Sequence, residues 1–284
     1  MVTRYTTLIT VDRLVEHLGD PSWAMVDCRY RLADLGFGRA AYAESHIAGA
    51  VFADIGDDLS GPVVPGKTGR HPLPDVAALS AKFSAWGIDE AVQVVAYDDS
   101  GGSMAARMWW LLRWLGHDGV AVLDGGWPTW AAAGWSVQAG VEGRKVRRFV
   151  PRERPESVLT AEQVEEVRAD PAWRLLDARS ADRFRGENET IDPVAGHIPG
   201  AVSAPYADNL EAAGRFKSPK ELRRRYLQLL DGVPADRAAC YCGSGVTAAH
   251  EVLAMAYAGL GEAKLYAGSW SEWITDGSRP VAAG

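Results

Sequence analysis

One cysteine of this chain stands where a nucleophile is expected. Cys242 follows a short apolar run, residues 237–241, and leads into Gly243-Ser244-Gly245-Val246-Thr247 and then a helix-like stretch. Two glycines in such a loop let the backbone curl with its N–H groups turned inward, which creates a nest for an anion. The loop should therefore favour the thiolate form of Cys242, the nucleophilic form of a thiol. The same N–H groups would hold the second sulfur of a persulfide.

The elements that must position this loop are short apolar strands alternating with helices. Runs typical of buried strands are residues 23–28, 91–97, 120–125, 173–178, 237–242 and 263–268. Residues 103–116 and 245–261 are predicted to be helices that end at Gly116 and near Gly259 or Gly261. This alternation predicts an α/β fold, with mostly parallel sheets covered by helices on both faces. Ligands of such sheets bind at the carboxyl ends of strands, which is where Cys242 lies.

The chain also repeats itself. Matching positions in the two halves are Asp27 and Asp177, His46 and His197, Trp127 and Trp270, and Trp130 and Trp273. Thr10 and Thr160 stand at equivalent helix starts, and Gln163 would complete a capping box with Thr160. We therefore predict two tandem domains, residues 1–142 and 158–284. The basic, proline-containing stretch 143–157 has the composition of a linker.

The two halves differ at the loop that follows the central apolar run. The first half has Asp98-Asp99-Ser100-Gly101-Gly102 where the second half has Cys242 and its glycines. A loop without a cysteine cannot carry the same chemistry. The first domain is therefore predicted to be non-catalytic and the second to be catalytic.

Composition limits the function classes. A formal net charge of -7 argues against a nucleic-acid surface, and no run is long and apolar enough to cross a bilayer. The first residues lack the apolar stretch of a secretory signal, so a cytoplasmic protein is expected. Three cysteines are too few for a disulfide framework or a four-cysteine metal site. Cys28 and Cys240 are interpreted as buried structural thiols.

The residues quoted so far resemble those of the rhodanese-type sulfurtransferases with two tandem rhodanese domains. The resemblance covers nearly the whole chain and rests on three motifs: the duplicated His-Ile-x-Gly-Ala, the Cys-Gly-Ser-Gly-Val-Thr loop, and the closing Gly-Ser-Trp-Ser-Glu-Trp, residues 268–273. The loop is similar to that of the 3-mercaptopyruvate sulfurtransferases. The resemblance implies transfer of a sulfane sulfur from 3-mercaptopyruvate to cyanide or to a thiol such as thioredoxin, through a Cys242 persulfide. It implies no metal and no organic cofactor.

The resemblance also implies an arginine that binds the donor, at the position of Arg183. Arg185, two residues on, is a second candidate, and the loop residues Gly243 to Thr247 complete the predicted substrate site. A guanidinium group matches a carboxylate with two parallel hydrogen bonds, which lysine cannot do. The alternative is that these arginines pair with Asp182 or Glu187 on a solvated loop.

The donor has an alternative. Thiosulfate sulfurtransferases carry cationic residues in the cysteine loop, and thiosulfate is a dianion, so the neutral loop here favours a donor with a remote carboxylate. However, residues 186–196 contain no second arginine, and Gly56 stands where animal mercaptopyruvate enzymes have an aspartate, with Asp57 and Asp58 nearby. A thiosulfate sulfurtransferase with the same persulfide mechanism therefore stays open.

Several other polar residues have a catalytic and a structural interpretation. Ser244 either donates its hydroxyl to the donor or leaving group, or caps the following helix. His46 and His197 recur in both halves, including the half without the cysteine, so structural hydrogen bonds are expected of them. His71, in Gly69-Arg70-His71-Pro72, is a further candidate for the site.

Two other function classes are alternatives. A phosphatase or arsenate reductase needs an arginine six positions after its cysteine, and Ala248 stands there. A non-catalytic rhodanese-type binding module is the other alternative. The intact cysteine loop and Arg183 argue against it, because Asp98-Asp99 illustrates a loop that has no nucleophile.

Overall fold

The computed structural model describes residues 4–284 and contains two compact units. Unit one comprises the chain up to Gly61, Pro74–Arg154 and Ala212–Phe216. Unit two comprises Pro62–Leu73, Pro155–Glu211 and Lys217–Gly284. Each unit therefore contains a short segment from the other half of the sequence. The domain boundaries at residues 142 and 158 stay a prediction, and the chain passes from one unit to the other between Arg154 and Pro155.

Unit one is built on a parallel sheet. Its elements in chain order are β1 (Leu8–Ile9), α1 (Val11–Val15), β2 (Trp23–Asp27), α2 (Phe37–Glu44), β3 (His46–Ile47), β4 (Val51–Phe52), α3 (Val76–Ala85), β5 (Gln93–Tyr97), α4 (Ala105–Trp114), β6 (Val120–Leu123), α5 (Gly126–Ala132) and β7 (Val137–Gln138). The strand order is β1-β6-β5-β2-β4, and every neighbouring pair is parallel. Strands β3 and β7 form a separate antiparallel pair. Every residue of β2 and β5 is buried, as in sheets covered on both faces.

Unit two repeats this plan. Its elements are α6 (Ala161–Val167), β8 (Arg174–Asp177), α7 (Ala181–Arg185), β9 (Ala201–Ser203), α8 (Pro219–Leu230), β10 (Ala238–Tyr241), α9 (Ala248–Tyr257), β11 (Lys264–Leu265) and α10 (Ser269–Trp273), with short 3₁₀ turns at Pro155–Ser157, Tyr206–Asn209 and Ala235–Arg237. The parallel strand order is β11-β10-β8-β9. The predicted α/β class with mostly parallel sheets is therefore confirmed.

The sequence predicts two helix starts, at Thr10 and Thr160, and two helix ends, near Gly116 and Gly259, and three of these four act as expected. Thr160 and Gln163 form the predicted capping box at the start of α6. Helices α4 and α9 end just before Gly116 and Gly259, whose positive φ angles of 83° and 70° suit glycine. Thr10 precedes α1, but its side chain makes no capping hydrogen bond.

A buried ion pair fixes the end of the strand that lies next to the central loop in unit two. Arg179 donates from Nε and Nη2 to the Asp177 carboxylate, and Nη2 also reaches the carbonyl oxygen of Gly196 at 2.7 Å. The guanidinium group lies 4.8 Å from the ring centroid of Trp270. Tyr241 Oη accepts from the Ile198 amide at 3.2 Å. The second His-Ile motif is thereby joined to β10.

Unit one contains the equivalent network. Arg29 pairs with Asp27 and donates to the carbonyl oxygen of Ser45 at 2.6 Å, and its guanidinium group lies 4.5 Å from the ring centroid of Trp127. Tyr97 donates to Asp27 at 2.9 Å. The network is present in a unit without the cysteine, so its role is structural.

Among residues 4–284, no helix is long and apolar enough to cross a membrane.

Candidate active site

The cysteine loop begins where an interior strand of unit two ends. Strand β10 lies between β8 and β11 and ends at Tyr241, so Cys242 is the first residue beyond the middle of the sheet. The Cys242 side chain is only 3% exposed. The Gly245 amide donates to Cys242 Sγ at 3.2 Å. The sulfur therefore lies against a backbone N–H group of its own loop.

The loop is held in place by the first residues of α10. The Cys242 amide donates to Ser269 Oγ at 3.0 Å, and the Cys242 carbonyl accepts from the Trp270 amide at 3.0 Å. The Gly243 carbonyl accepts from the Ser271 amide at 2.9 Å. The Gly-Ser-Trp-Ser-Glu-Trp motif, quoted above only as part of the resemblance, is thus the support of the cysteine loop.

Gly245 is required by two features of its surroundings. Its φ angle is +77°, in the left-handed region that other residues rarely adopt. A Cβ atom at this position would overlap the carbonyl oxygen of Ala267 and lie 2.8 Å from the carbonyl carbon. The loop can therefore approach the 266–271 turn only because residue 245 is a glycine.

Ser244 contacts a histidine from the first half of the sequence. Ser244 Oγ lies 2.8 Å from His71 Nδ1, and both side chains are buried. His71 belongs to unit two because the segment Pro62–Leu73 packs there. The residue that precedes α9 is Thr247, and its side chain makes no capping hydrogen bond. Val246 is buried in the loop.

Arg183 is held by two acidic side chains. It donates to both carboxylate oxygens of Glu189 at 3.0 Å and to Asp192 Oδ2 at 3.1 Å. Neither Asp182 nor Glu187, the two partners considered from the sequence, forms this ion pair. The guanidinium group faces the cysteine loop, since Nη1 and Nη2 lie 3.7 and 3.8 Å from where a Cβ of Gly243 would be.

Glu189 is anchored as an anion. Its Oε1 accepts from the backbone amides of Ile191 and Asp192 at 2.9 and 3.0 Å, in addition to the bonds from Arg183. Burial alone would raise the pKa of Glu189, but these hydrogen bonds and the Arg183 charge lower it below its ordinary value. Glu189 therefore remains charged and keeps Arg183 oriented.

Arg185 occupies a different environment. Its side chain is 44% exposed and donates to Glu187 Oε2 at 2.7 Å. This is the pairing that the sequence offered as its alternative. Among the described residues, no hydrogen bond joins Arg185 to residues 242–247, and its role in substrate binding stays a prediction.

The corresponding loop of unit one holds a carboxylate. Asp98 is fully buried, and its two oxygens accept from the backbone amides of Ser100, Gly102, Met104 and Ala105 at 2.7 to 2.9 Å. Burial raises the pKa of Asp98, and the four hydrogen bonds oppose that rise. In unit one, then, the backbone amides of the loop and of the following helix surround a carboxyl group supplied by the chain itself.

The remaining cysteines are buried core residues, as expected. Cys28 and Cys240 are fully buried, and burial raises the pKa of both thiols well above the usual range. Cys240 also lies near the Glu251 carboxylate, which raises its pKa further. Neither thiol has the properties of a nucleophile near neutral pH.

The two motif histidines make the structural hydrogen bonds expected of them. His46 Nδ1 lies 2.7 Å from the carbonyl oxygen of Tyr42 and its ring stacks on the Tyr42 ring. His197 Nδ1 lies 2.7 Å from the carbonyl oxygen of Phe184 and its ring stacks on the Phe184 ring. The equivalent geometry in both units confirms that these residues support the fold.

Three acidic or basic residues of the site escaped the sequence analysis. Arg70 is ion-paired with Asp192, and Glu189 and Asp192 hold Arg183. The sequence Gly69-Arg70-His71-Pro72 is a signal for Arg70, because it places a cation directly before the candidate His71. In unit one, Asp58 pairs with Lys82, and the Asp57 side chain is largely exposed. No group of three or more His, Cys, Asp or Glu residues within the described chain is arranged to hold a metal ion.

The family comparisons agree with this geometry. The rhodanese-like domain matches residues 10–133 and 160–276. A Pseudomonas aeruginosa protein named "Probable 3-mercaptopyruvate sulfurtransferase" is 50% identical over 278 residues, which cover 98% of each chain. The Arabidopsis thaliana "Thiosulfate/3-mercaptopyruvate sulfurtransferase 2" is 32% identical over 304 residues, covering 96% of this chain and 86% of that one. The structure of the Leishmania major 3-mercaptopyruvate sulfurtransferase matches with a TM-score of 0.84 and 31% identity, over 94% of this chain and 74% of that one. The chain therefore belongs to the rhodanese-like family and carries two copies of its domain.

Proposed function

We propose that this protein is a sulfurtransferase that takes a sulfane sulfur from 3-mercaptopyruvate, carries it as a persulfide on Cys242, and passes it to a thiol acceptor. The observation that carries the proposal is the contact of 3.2 Å between the Gly245 amide and Cys242 Sγ, in a loop at the carboxyl end of β10. A backbone N–H group directed at the sulfur stabilises negative charge on the cysteine, and the same loop would stabilise the outer sulfur of a persulfide.

The first step forms a sulfur–sulfur bond. The Cys242 thiolate attacks the donor's sulfur, and the bond between that sulfur and its carbon breaks. The electron pair stays on the carbon as the enolate of pyruvate, which then takes up a proton to give pyruvate. In this proposal Ser244 donates a hydrogen bond to the leaving group, and His71, whose Nδ1 lies 2.8 Å from the Ser244 hydroxyl, orients it.

Binding of the donor depends on its carboxylate. Arg183 is the donor-binding residue of this proposal, because its guanidinium group lies over Gly243 and is kept oriented by Glu189. The loop itself carries no charged side chain between Gly243 and Thr247. A donor whose charge lies away from its sulfur suits this arrangement better than a dianion such as thiosulfate.

The second step returns the enzyme to its starting state. An acceptor thiolate attacks the outer sulfur, the persulfide bond breaks, and Cys242 leaves as a thiolate. A second thiol on the acceptor then releases hydrogen sulfide and forms a disulfide, so a dithiol such as reduced thioredoxin is a suitable acceptor, and cyanide replaces it in an assay. A cytoplasmic location is part of the proposal, because such acceptors are kept reduced there.

A thiosulfate donor is the second candidate, favoured by the Arabidopsis relative whose name includes both donors. The mechanism would be the same, with sulfite as the leaving group. The ratio of kcat/KM for the two donors separates them. We expect the larger value for 3-mercaptopyruvate, and a larger value for thiosulfate would overturn the choice of donor while leaving the persulfide intact.

Mass spectrometry tests the central claim. After incubation with 3-mercaptopyruvate and removal of excess donor, the peptide that contains Cys242 should be heavier by one sulfur atom, and an added thiol should reverse the change. Cys242→Ser should abolish both sulfur loading and turnover. Cys240→Ala, which removes the buried thiol two residues away, is the matched control and should retain both. Turnover in the Cys242→Ser variant would refute the mechanism, and absence of turnover with either donor in the wild type would favour a binding module.

A further inference from the structure

We propose that Arg70 is a second donor-binding residue of this site, and that Asp192 is the positioning residue that holds Arg70 and Arg183 over the cysteine loop. The inference rests on the proposed function, because it concerns how the donor's carboxylate is bound. It assigns to Arg70, in the segment Pro62–Leu73, a specificity role that the sequence did not predict.

The two guanidinium groups converge on one point of the loop. Arg70 Nη2 lies 2.8 Å from where a Cβ atom of Gly243 would be, and both terminal nitrogens of Arg183 lie within 4 Å of the same point. Gly243 is the residue directly after Cys242. The space above Gly243 is therefore bounded by two cationic groups that come from segments far apart in sequence.

Asp192 explains how two like charges remain this close. Its Oδ1 pairs with Arg70 Nη1, and its Oδ2 accepts from Arg183 Nη2 at 3.1 Å. Each oxygen thus takes one guanidinium group. The Asp192 side chain is 2% exposed, whereas Arg70 and Arg183 are 27% and 16% exposed. The carboxylate is therefore buried, whereas each of the two arginine side chains keeps some exposed surface.

Arg70 is also fixed through its backbone. Its amide donates to Ser271 Oγ at 3.0 Å, and the next residue, His71, contacts Ser244 at 2.8 Å. On the other side, Gly69 lies so close to the carbonyl oxygen of Gly268 that a Cβ there would overlap it. Three consecutive residues are anchored to unit two, so the position of Arg70 does not depend on a flexible loop.

The charges of this cluster indicate the class of donor. The positive charges of Arg70 and Arg183 are balanced by the negative charges of Asp192 and Glu189. The cluster therefore offers oriented N–H donors with little net positive charge. Such a site suits the planar, singly charged carboxylate of an α-keto acid, which can accept from two guanidinium groups, better than it suits a compact dianion.

The test compares Arg70→Met with Lys67→Met. Both variants remove one positive charge from the same segment, but Lys67 is exposed and its backbone amide bonds only locally, to Val64. Loss of a charge-assisted hydrogen bond predicts a rise of about 10- to 100-fold in KM for 3-mercaptopyruvate in Arg70→Met, with a smaller change in kcat. Lys67→Met should match the wild type. Arg70→Lys should recover only part of the loss, because lysine cannot form the paired hydrogen bonds.

A second measurement separates donor binding from support of the fold. The variants are loaded with sulfur at saturating donor, the donor is removed, and the transfer of sulfur to dithiothreitol is followed by mass spectrometry. This step takes place after the donor has left, so Arg70→Met and Asp192→Asn should transfer sulfur at the wild-type rate while showing raised KM values. Equal slowing of both half-reactions would mean that these residues only support the loop, and would overturn the proposal.

Three further results would each overturn the assignment of Arg70. Wild-type KM in Arg70→Met refutes the assignment of Arg70 even if the enzyme proves to be a mercaptopyruvate sulfurtransferase. If Arg70→Met does not yield folded protein, the KM of Arg70→Lys decides, and an unchanged value refutes the proposal. If the wild type itself does not turn over 3-mercaptopyruvate, the proposed function fails, and the inference fails with it.

Discussion

The substitution Gly245→Ala tests how closely the geometry of the cysteine loop controls its chemistry. Gly245 combines a φ angle of +77° with a position directly against the carbonyl group of Ala267. Gly232 has a similar φ angle of +85° with open space around it. Both glycines belong to unit two, so Gly232→Ala is a matched control for backbone strain alone.

The expected magnitudes follow from these two environments. A left-handed conformation costs an alanine about 1–2 kcal/mol, which applies to both variants. Overpacking against a backbone carbonyl adds about 1–3 kcal/mol in Gly245→Ala only. That variant should therefore destabilise unit two by about 2–5 kcal/mol, against about 1–2 kcal/mol for Gly232→Ala.

In Gly245→Ala, the rate of persulfide formation should be affected more strongly than the stability of unit two. The Ala267 carbonyl is part of the backbone just before α10, so we expect the overlap to be relieved by a shift of residue 245, which would disturb the contact between its amide and Cys242 Sγ. Loss of one preorganised N–H donor costs about 100- to 1,000-fold in rate. The rate of persulfide formation under single-turnover conditions should fall by about this factor in Gly245→Ala and remain near the wild-type value in Gly232→Ala.

The assay for stability is hydrogen exchange of peptides from β10 and α9, because a chain with two units does not have a single well-defined unfolding transition. If the two variants show the same exchange and the same rate of persulfide formation, the contact with Ala267 does not control the loop, and the reasoning is wrong.

Two further predictions concern the charged groups around the loops. Hydrogen bonds lower the pKa of Glu189 below its ordinary 4.5, so Glu189 stabilises unit two above that pH and loses this contribution as the pH falls through its folded-state value. Glu189→Gln should therefore lower the stability of unit two at pH 7, and pH-dependent hydrogen exchange should show the gap closing in acid; a constant gap would contradict this. Asp98→Ala leaves the buried amides that Asp98 now accepts from unpaired, each at a cost of about 1–3 kcal/mol. Exchange in β5 and α4 should accelerate while sulfur loading of Cys242 is retained, and unchanged protection would refute the role of Asp98.

The sequence predicts the local elements of this protein well. The buried strands are short apolar runs, and Cys242 follows such a run directly, so its place at the end of β10 could be inferred from pattern alone. The structural role of His46 and His197 also followed from the sequence, because the motif recurs in a half that has no cysteine. These inferences depend on residues that are close together in sequence.

The sequence does not reveal the partners that are far apart. Arg70 and His71 contact residues 201 and 173 positions away, and their segment has no periodicity that would indicate a strand or helix. The ion pairs of Arg183 illustrate the same limit at shorter range. Asp182 and Glu187 are nearer in sequence, but the turn after α7 brings Glu189 and Asp192 to the guanidinium group instead. Which acid pairs with which base is decided by backbone path, which composition does not specify.

The exchange of short segments between the units has a consequence for how the protein is made. Unit one includes Ala212–Phe216, and unit two includes Pro62–Leu73. During synthesis, neither unit can fold completely from one half of the chain, because each unit includes a segment from the other half. The segment that carries Arg70 is synthesised long before Ser244 and Ser271, which it contacts in the folded protein. It therefore lacks these contacts until the second half of the chain has been translated.

The same exchange limits how the gene can be divided. A cut in the linker would separate Cys242 from Arg70 and His71, and would separate the first sheet from residues 212–216. The two halves look like modules that recombination could shuffle, but each fragment would lack a piece of its own unit. Separately expressed halves of the chain would therefore each lack residues that complete their own unit.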